Sequence, residues 1–233
     1  MKYDSYLSGN VSRIGKAINT LVNRAVLDRI LKLTTNRINL MEIGPGRGDF
    51  YKLCVNSGNI KYSCYDINLS VVNKLKALGA DSNELTKNVF ADIRTDVFYA
   101  AHVFEHFNNH CDITEFILSA KRTLENSGIF VTIFPDYKSW KDDFWDVDYT
   151  HTVPITENRM SQILYDNGFG IIYKRCFYGP FRYWPGVFID KINRLVSSLL
   201  LSFFPHSVKL KKLRNMFHGN IFIIASAKNG GTR

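Results

Sequence analysis

The chain has 233 residues, 45% of them hydrophobic and 14% aromatic, enough to bury a full core and of a size for one α/β domain with additions. Lys and Arg number 30 against 21 Asp and Glu, and the net charge of +9 favours a phosphate-bearing or membrane-surface partner. Cys54, Cys64, Cys111 and Cys176 form no C-x-x-C pair, the first ten residues lack an apolar run with a cleavage site, and no segment is long enough to span a bilayer. A cytoplasmic protein with reduced thiols is expected.

Hydrophobic periodicity then sets out an α/β alternation. Val11 to Leu33 carries apolar residues at helical spacing with basic residues between them, so a helical N-terminal lid over 1–35 is expected before the sheet. Ile38 to Ile43 reads as the first strand, followed by a glycine-rich turn and a helix over Tyr51 to Asn56. Lys61 to Asp66 is a second strand ending in a carboxylate, Leu69 to Leu78 a helix stopped by Gly79, and Asn88 to Ile93 a third strand. Asp96 to Ala101 is the fourth strand. Asp112 to Leu124 is a helix ended near Asn126-Ser127-Gly128, and Ile129 to Phe134 a fifth strand closed by Pro135. A helix over Thr156 to Asp166 has Thr156 as N-cap and Gly168 as its stop. Phe169 to Phe177 and Asn220 to Ala227 are the last strands, separated by an insertion over 179–218.

The most informative stretch is Leu40 to Asp49, Leu-Met-Glu-Ile-Gly-Pro-Gly-Arg-Gly-Asp, where an apolar strand ends in an acid and turns into three closely spaced glycines. Gly44, Gly46 and Gly48 let the main chain pass close to a ligand, whose polar groups can meet the amides opening the next helix. The spacing is G-x-G-x-G, not the G-x-G-x-x-G of a dinucleotide fold. Together with Asp66, placed where an α/β sheet offers an acceptor to ribose hydroxyls, and Asp92-Ile93 at a strand end, the chain from about Ile38 to Phe177 resembles the class I S-adenosylmethionine-dependent methyltransferases. The resemblance implies a Rossmann-like α/β fold, a seven-stranded mostly parallel sheet with a reversed last hairpin and helices on both faces, in a methyltransferase domain over 36–233. It also implies S-adenosylmethionine as cofactor, bound by Glu42, Gly44, Gly46, Gly48, Asp66, Ile67, Asp92, Ile93 and Ala101.

At the end of the fourth strand the sequence reads Ala101-His102-Val103-Phe104-Glu105-His106-Phe107. In a subset of these enzymes, the small-RNA terminal 2′-O-methyltransferases and the ubiquinone-pathway O-methyltransferases, this place carries E-x-x-E-H, whose side chains bind a divalent metal. By that likeness His102, Glu105 and His106 are metal ligands, and His151, shortly before the helix that follows the fifth strand, is a fourth. His102 replaces the first carboxylate, and a donor set richer in imidazole shifts preference from Mg²⁺ toward Mn²⁺, Fe²⁺, Co²⁺ or Zn²⁺. Methyltransferases linked to surface polysaccharide or lipopolysaccharide carry a similar Glu-His pair and a D-x-T-H segment like Asp148 to His151, where these groups serve to orient a helix start and line the pocket. Both readings stand at this point. H-x-x-E-H also spells the inverted zinc-peptidase motif, but that needs both histidines on one long helix and His102 ends a strand.

A metal in this place would stabilise an acceptor alkoxide, and chelation by neighbouring hydroxyls would fix the acceptor, so the resemblance implies a vicinal diol. His106, His151 or Asp148 would take the proton. The expected function is O-methyl transfer to a hydroxyl of a saccharide or glycolipid. The alternatives are an RNA ribose 2′-O-methyltransferase and a non-catalytic methyltransferase-like partner subunit. Trp140, Phe144 and Trp145 either stack on a sugar or cap the core, and Tyr3 and Tyr6 either belong to the lid over the cofactor or fall in a disordered start of the chain. The insertion is apolar and aromatic and then basic through Lys209 to Arg214, so 187–214 suits an interfacial helix on anionic lipid. Its competing use is a helical hairpin packed on the sheet or in a homodimer interface. RNA is disfavoured, because basic and aromatic residues do not interleave along it.

Overall fold

The computed structural model of the chain describes residues 12–34, 37–86, 90 and 93–227. Its elements in chain order are α1 (Arg13–Leu33), β1 (Ile38–Ile43), α2 (Asp49–Ser57), β2 (Ile60–Asp66), α3 (Leu69–Ala77), β3 (Asp81–Glu84), β4 (Thr95–Ala101), a 3-10 turn (Phe104–His106), α4 (His110–Thr123), β5 (Leu124–Pro135), α5 (Tyr137–Trp140), α6 (Asp143–Val147), α7 (Glu157–Asp166), β6 (Phe169–Tyr178), β7 (Phe181–Arg182), α8 (Tyr183–Phe203), α9 (Val208–Asn215) and β8 (Gly219–Ala227). The sheet order is β3-β2-β1-β4-β5-β8-β6-β7. Strands β1 to β5 pair in parallel, and β8 runs antiparallel to both β5 and β6. The expected seven-stranded, mostly parallel sheet is therefore present, with the two-residue β7 added at its edge. Because β6 points the same way as the parallel set, the insertion between β6 and β8 leaves and re-enters at the carboxyl edge of the sheet.

Successive strand residues feed opposite layers, as the two-residue period of a strand requires. Leu40, Val97 and Tyr99 pack with Val26, Ile30, Cys54 and Leu75 of α1, α2 and α3. Met41, Phe98 and Phe130 pack with Ile113, Ile117, Met160 and Leu164 of α4 and α7. Helices on both faces explain why β4 and β5 read as nearly unbroken apolar runs. The carboxy-terminal half of α1 is part of this core through Val26, Leu27 and Ile30, and Arg29 lies over the Tyr173 ring at 4.1 Å.

Most sequence expectations hold, α7 included: Thr156 Oγ1 accepts from the Arg159 amide and Gly168 follows with φ 75°. Three differ. The third strand is Asp81–Glu84, paired with β2, while 88–89 and 91–92 of the expected third strand lie outside the described residues. The segment Asn126-Ser127-Gly128 is not a turn between helix and strand but lies inside β5, where the register jumps from Thr95 against Leu124 to Val97 against Ile129. That irregularity absorbs the extra residues and lets β5 start directly after α4. Trp140 and Phe144 are both buried, Trp140 donating Nε1–H to the Gly219 carbonyl at 2.9 Å, so they cap the core and do not line an open pocket.

Candidate active site

The glycine-rich turn joins β1 to α2 at the carboxyl edge, tied to β2 by a hydrogen bond from the Gly44 amide to the Tyr65 carbonyl at 2.9 Å. Two of its glycines do different work. Gly48 caps α2 with φ 73°, and a Cβ there would lie 2.4 Å from Leu75 Cδ2, so packing forbids a side chain. Gly46, φ 51°, has nothing among the described residues within 4 Å of the place its Cβ would take. That open space over the unblocked first turn of α2 is the cradle that a cofactor would fill, and the residues fit one.

Asp66 ends β2 beside this turn, nearly buried, its Oδ1 accepting from the Asn68 amide at 2.8 Å. Burial raises its carboxyl above the usual range, only partly offset by the backbone hydrogen bonds from Asn68 and Ile67. Ile67 next to it is exposed, Ile93 packs at the edge of the α4 and α7 core, and Ala101 ends β4. Asp92 lies outside the described residues, as do Tyr3 and Tyr6. Glu42, in contrast, points into the core and accepts a short hydrogen bond from the Tyr62 hydroxyl, a partner that no sequence motif announced.

Beyond β4 the chain turns sharply. His102 adopts φ 55°, a left-handed conformation that costs a non-glycine residue about 1–3 kcal/mol and that concentrates at functional sites. The turn places Phe104–His106 in a single 3-10 turn, which removes the long helix that a zinc-peptidase reading needs. Ligand atoms of Glu105, His106 and His151 lie within 4.8 Å of one another. His102 is not part of this group. It bonds to it from the side, Nδ1 to Glu105 Oε1 at 3.1 Å, with its ring half exposed.

The segment that carries His151 is sewn to the turn. The amides of Thr152 and Val153 donate to the Glu105 carbonyl at 2.8 and 3.3 Å, and the Thr152 hydroxyl donates to the Phe107 carbonyl. Each histidine is fixed through Nδ1. His151 Nδ1 is 2.7 Å from the Phe144 carbonyl, which accepts only, so Nδ1 bears the proton and Nε2 the lone pair. His106 Nδ1 is 2.9 Å from Thr150 Oγ1, and that hydroxyl spends its own hydrogen on Asp148 Oδ1 at 2.7 Å, so the same tautomer follows. Asp148 thus acts through Thr150 on His106. Sequence reading missed both Thr150 and the Phe144 carbonyl, and only the D-x-T-H spacing hinted at the first.

Glu105 is 1% exposed and, among the described residues, its Oε2 has no hydrogen-bond partner. A buried carboxylate oxygen in that state calls for a cation or a donor. Burial acts to raise the Glu105 carboxyl, but the His102 hydrogen bond and the electrostatic influence of the neighbouring imidazoles of His102 and His106 outweigh it and hold the group below its ordinary value. Burial lowers His151, against the Phe144 hydrogen bond and the Glu105 charge, so its imidazole is neutral at pH 7. Two lone-pair nitrogens backed by Nδ1–H bonds and one anionic oxygen are a fit donor set for a divalent transition metal.

The sheet order, the reversed β8 and the glycine turn beside Asp66 define a Rossmann-like methyltransferase fold. A methyltransferase domain family model matches residues 16–174, and the chain belongs to that family. No curated protein matches the chain in sequence. Among solved structures, a SAM-dependent methyltransferase from Archaeoglobus fulgidus is 19% identical with a TM-score of 0.61, the match covering 88% of this chain and 92% of that one. Phosphoethanolamine N-methyltransferase 2 of Haemonchus contortus, solved with phosphomonomethylethanolamine and S-adenosylhomocysteine, is 12% identical with a TM-score of 0.59, over 89% of this chain and 52% of that one. At these identities the likeness is one of fold.

Proposed function

We propose that the protein is an S-adenosylmethionine-dependent O-methyltransferase acting on a hydroxyl of a saccharide or glycolipid, assisted by a divalent ion held by Glu105, His106 and His151. The observation that carries this reading is the partnerless, buried Glu105 Oε2 beside two histidines locked with Nε2 as the lone-pair nitrogen. Bound in the Gly46 cradle, the cofactor supplies a methyl group on a sulfonium. The ion supplies positive charge that favours the deprotonated acceptor hydroxyl.

The chain's own residues do the rest. With the cofactor there, an acceptor oxygen would bond to the methyl carbon as the carbon–sulfur bond broke, the electron pair staying on sulfur and the hydroxyl proton passing to solvent, so in-line placement is the main demand on this chain. Asp148 and Thr150 orient His106, the Phe144 carbonyl orients His151, and His102 steadies Glu105. Trp145 and Tyr149, both exposed on the segments that frame His151, offer ring faces to a sugar.

Elemental analysis of the purified protein, followed by calorimetric titration with Mn²⁺, tests the metal. Binding by the native chain, with affinity reduced at least about 10-fold by Glu105→Gln or His151→Ala, supports it. Transfer from S-adenosylmethionine to a vicinal-diol saccharide, lost on chelation and restored by Mn²⁺, supports the reaction. Chelation-insensitive transfer moves the role of His151 to metal-free general base, with Glu105 beside it to stabilise the imidazolium. Transfer to RNA ends in place of saccharide overturns the substrate class, and absence of cofactor binding leaves a partner subunit.

A further inference from the structure

The insertion folds as β7, α8 and α9, and α8 is inverted in its polarity. Its inward face carries Gly186, Asp190 and Ser197, the last two only 6% and 2% exposed. Gly186 lets the helix approach β6 so closely that a Cβ would lie 2.7 Å from Tyr178 Cβ. The outward face carries Phe188, Ile192, Leu195, Leu199 and Phe203 at spacings of 4, 3, 4 and 4. Leu195 is 73% and Phe203 72% exposed. Short α9 lies against α8, the Asn193 side-chain amide donating to the Leu213 and Arg214 carbonyls at 3.3 and 2.8 Å. It adds the exposed Val208 and the exposed Lys209, Lys211 and Lys212 beside the stripe. Asp190 is the sole carboxylate in 185–218 and it is buried.

A contiguous apolar stripe bordered by lysines has two physical uses. A second copy of this chain would set lysine against lysine on a molecule already at +9, which opposes association. An anionic lipid surface satisfies both halves at once, taking the apolar side chains below the headgroups and pairing the lysines with lipid charge. Among the described residues no helix is long and apolar enough to cross a membrane, so α8 would lie in the interface plane. We infer that the α8–α9 hairpin docks this protein on an anionic lipid bilayer, apolar stripe down. The inference stands on these two helices alone and not on the metal or the methyl acceptor.

Flotation of the full chain with phosphatidylcholine vesicles, with and without phosphatidylglycerol, is the test. The expected result is binding that needs the anionic lipid and weakens with salt. At about five-fold per charge, Lys209→Gln, Lys211→Gln and Lys212→Gln together should lower the partition coefficient roughly 10²-fold. Leu199→Gln with Phe203→Gln should remove binding at any salt, and neither variant should move the melting temperature, since these side chains are exposed. Equal binding to neutral vesicles, RNA retention without vesicle binding, or a dimer that Leu199→Gln with Phe203→Gln dissociates while vesicles bind nothing, would each overturn the inference.

Discussion

Glu42, the next-to-last residue of β1, is buried, and burial pushes its carboxyl to about 8, with the Tyr62 hydrogen bond opposing and the Asp66 and Asp49 charges adding. Its folded value lies above its unfolded value, so its contribution to stability is complete at acid pH and falls as pH rises from the ordinary carboxyl range through about 8. Glu42→Gln has no such loss. Thermal melts of the two proteins from pH 5 to 9 should therefore diverge in favour of the variant, by an amount on the order of a few kcal/mol at the alkaline end. The glycines beside it separate folding from binding. Gly48→Ala drives a methyl into Leu75 and should lower stability by about 1–3 kcal/mol. Gly46→Ala meets open space, costs about 1 kcal/mol through its positive φ, and should mainly weaken S-adenosylmethionine binding in calorimetry.

At the level of elements, α6 is held by a polar cluster that no motif foretold. Asp143 Oδ2 accepts from His218 Nε2 at 3.0 Å and Arg214 Nε at 2.8 Å, while His218 Nδ1 lies 3.0 Å from Asp190 Oδ1 and Arg194 pairs with both acids. Burial raises the Asp143 carboxyl, but the His218 bond and the Arg214 charge outweigh it and hold it low. One residue on, the Phe144 carbonyl sets the tautomer of His151. Asp143→Asn takes the carboxylate from Arg214 and His218 while Asp190 still pairs with Arg194, and should cost about 1–3 kcal/mol, read as a lower melting temperature, with weaker Mn²⁺ uptake at His151. The constituents of this cluster come from α6, α8, α9 and the residue just before β8. Each looks ordinary in sequence, and only the insertion's return to the carboxyl edge brings them together. The apolar strands and amphipathic helices were legible because one periodicity decides them. The polar run Asp81-Ser82-Asn83-Glu84 was not, because pairing with β2 makes it a strand and its own composition does not. Family likeness singled out Glu105, His106 and His151, whose ligand atoms the structure brings together, whereas nothing in the sequence announced the left-handed turn at His102 or its bond to Glu105.

For the whole molecule, the docking hairpin and the candidate active site share one rim, since β6 and β4 both end at the carboxyl edge. Deleting 185–215 in favour of a short loop should abolish vesicle flotation and, by freeing Asp143, also depress methyl transfer, which distinguishes it from the exposed-face variants that spare the cluster. The position of β8 has a further consequence, for biosynthesis. It is synthesised after both β5 and β6, yet it fills the slot between them, burying Phe222, Ile223 and Ile224. On a ribosome adding roughly 5–20 residues per second, β5 and β6 wait for seconds with unpaired, apolar edges until Gly219–Ala227 emerges. The nascent chain is then most prone to aggregate, and its yield should respond to chaperone supply more than the stability of the finished fold would suggest.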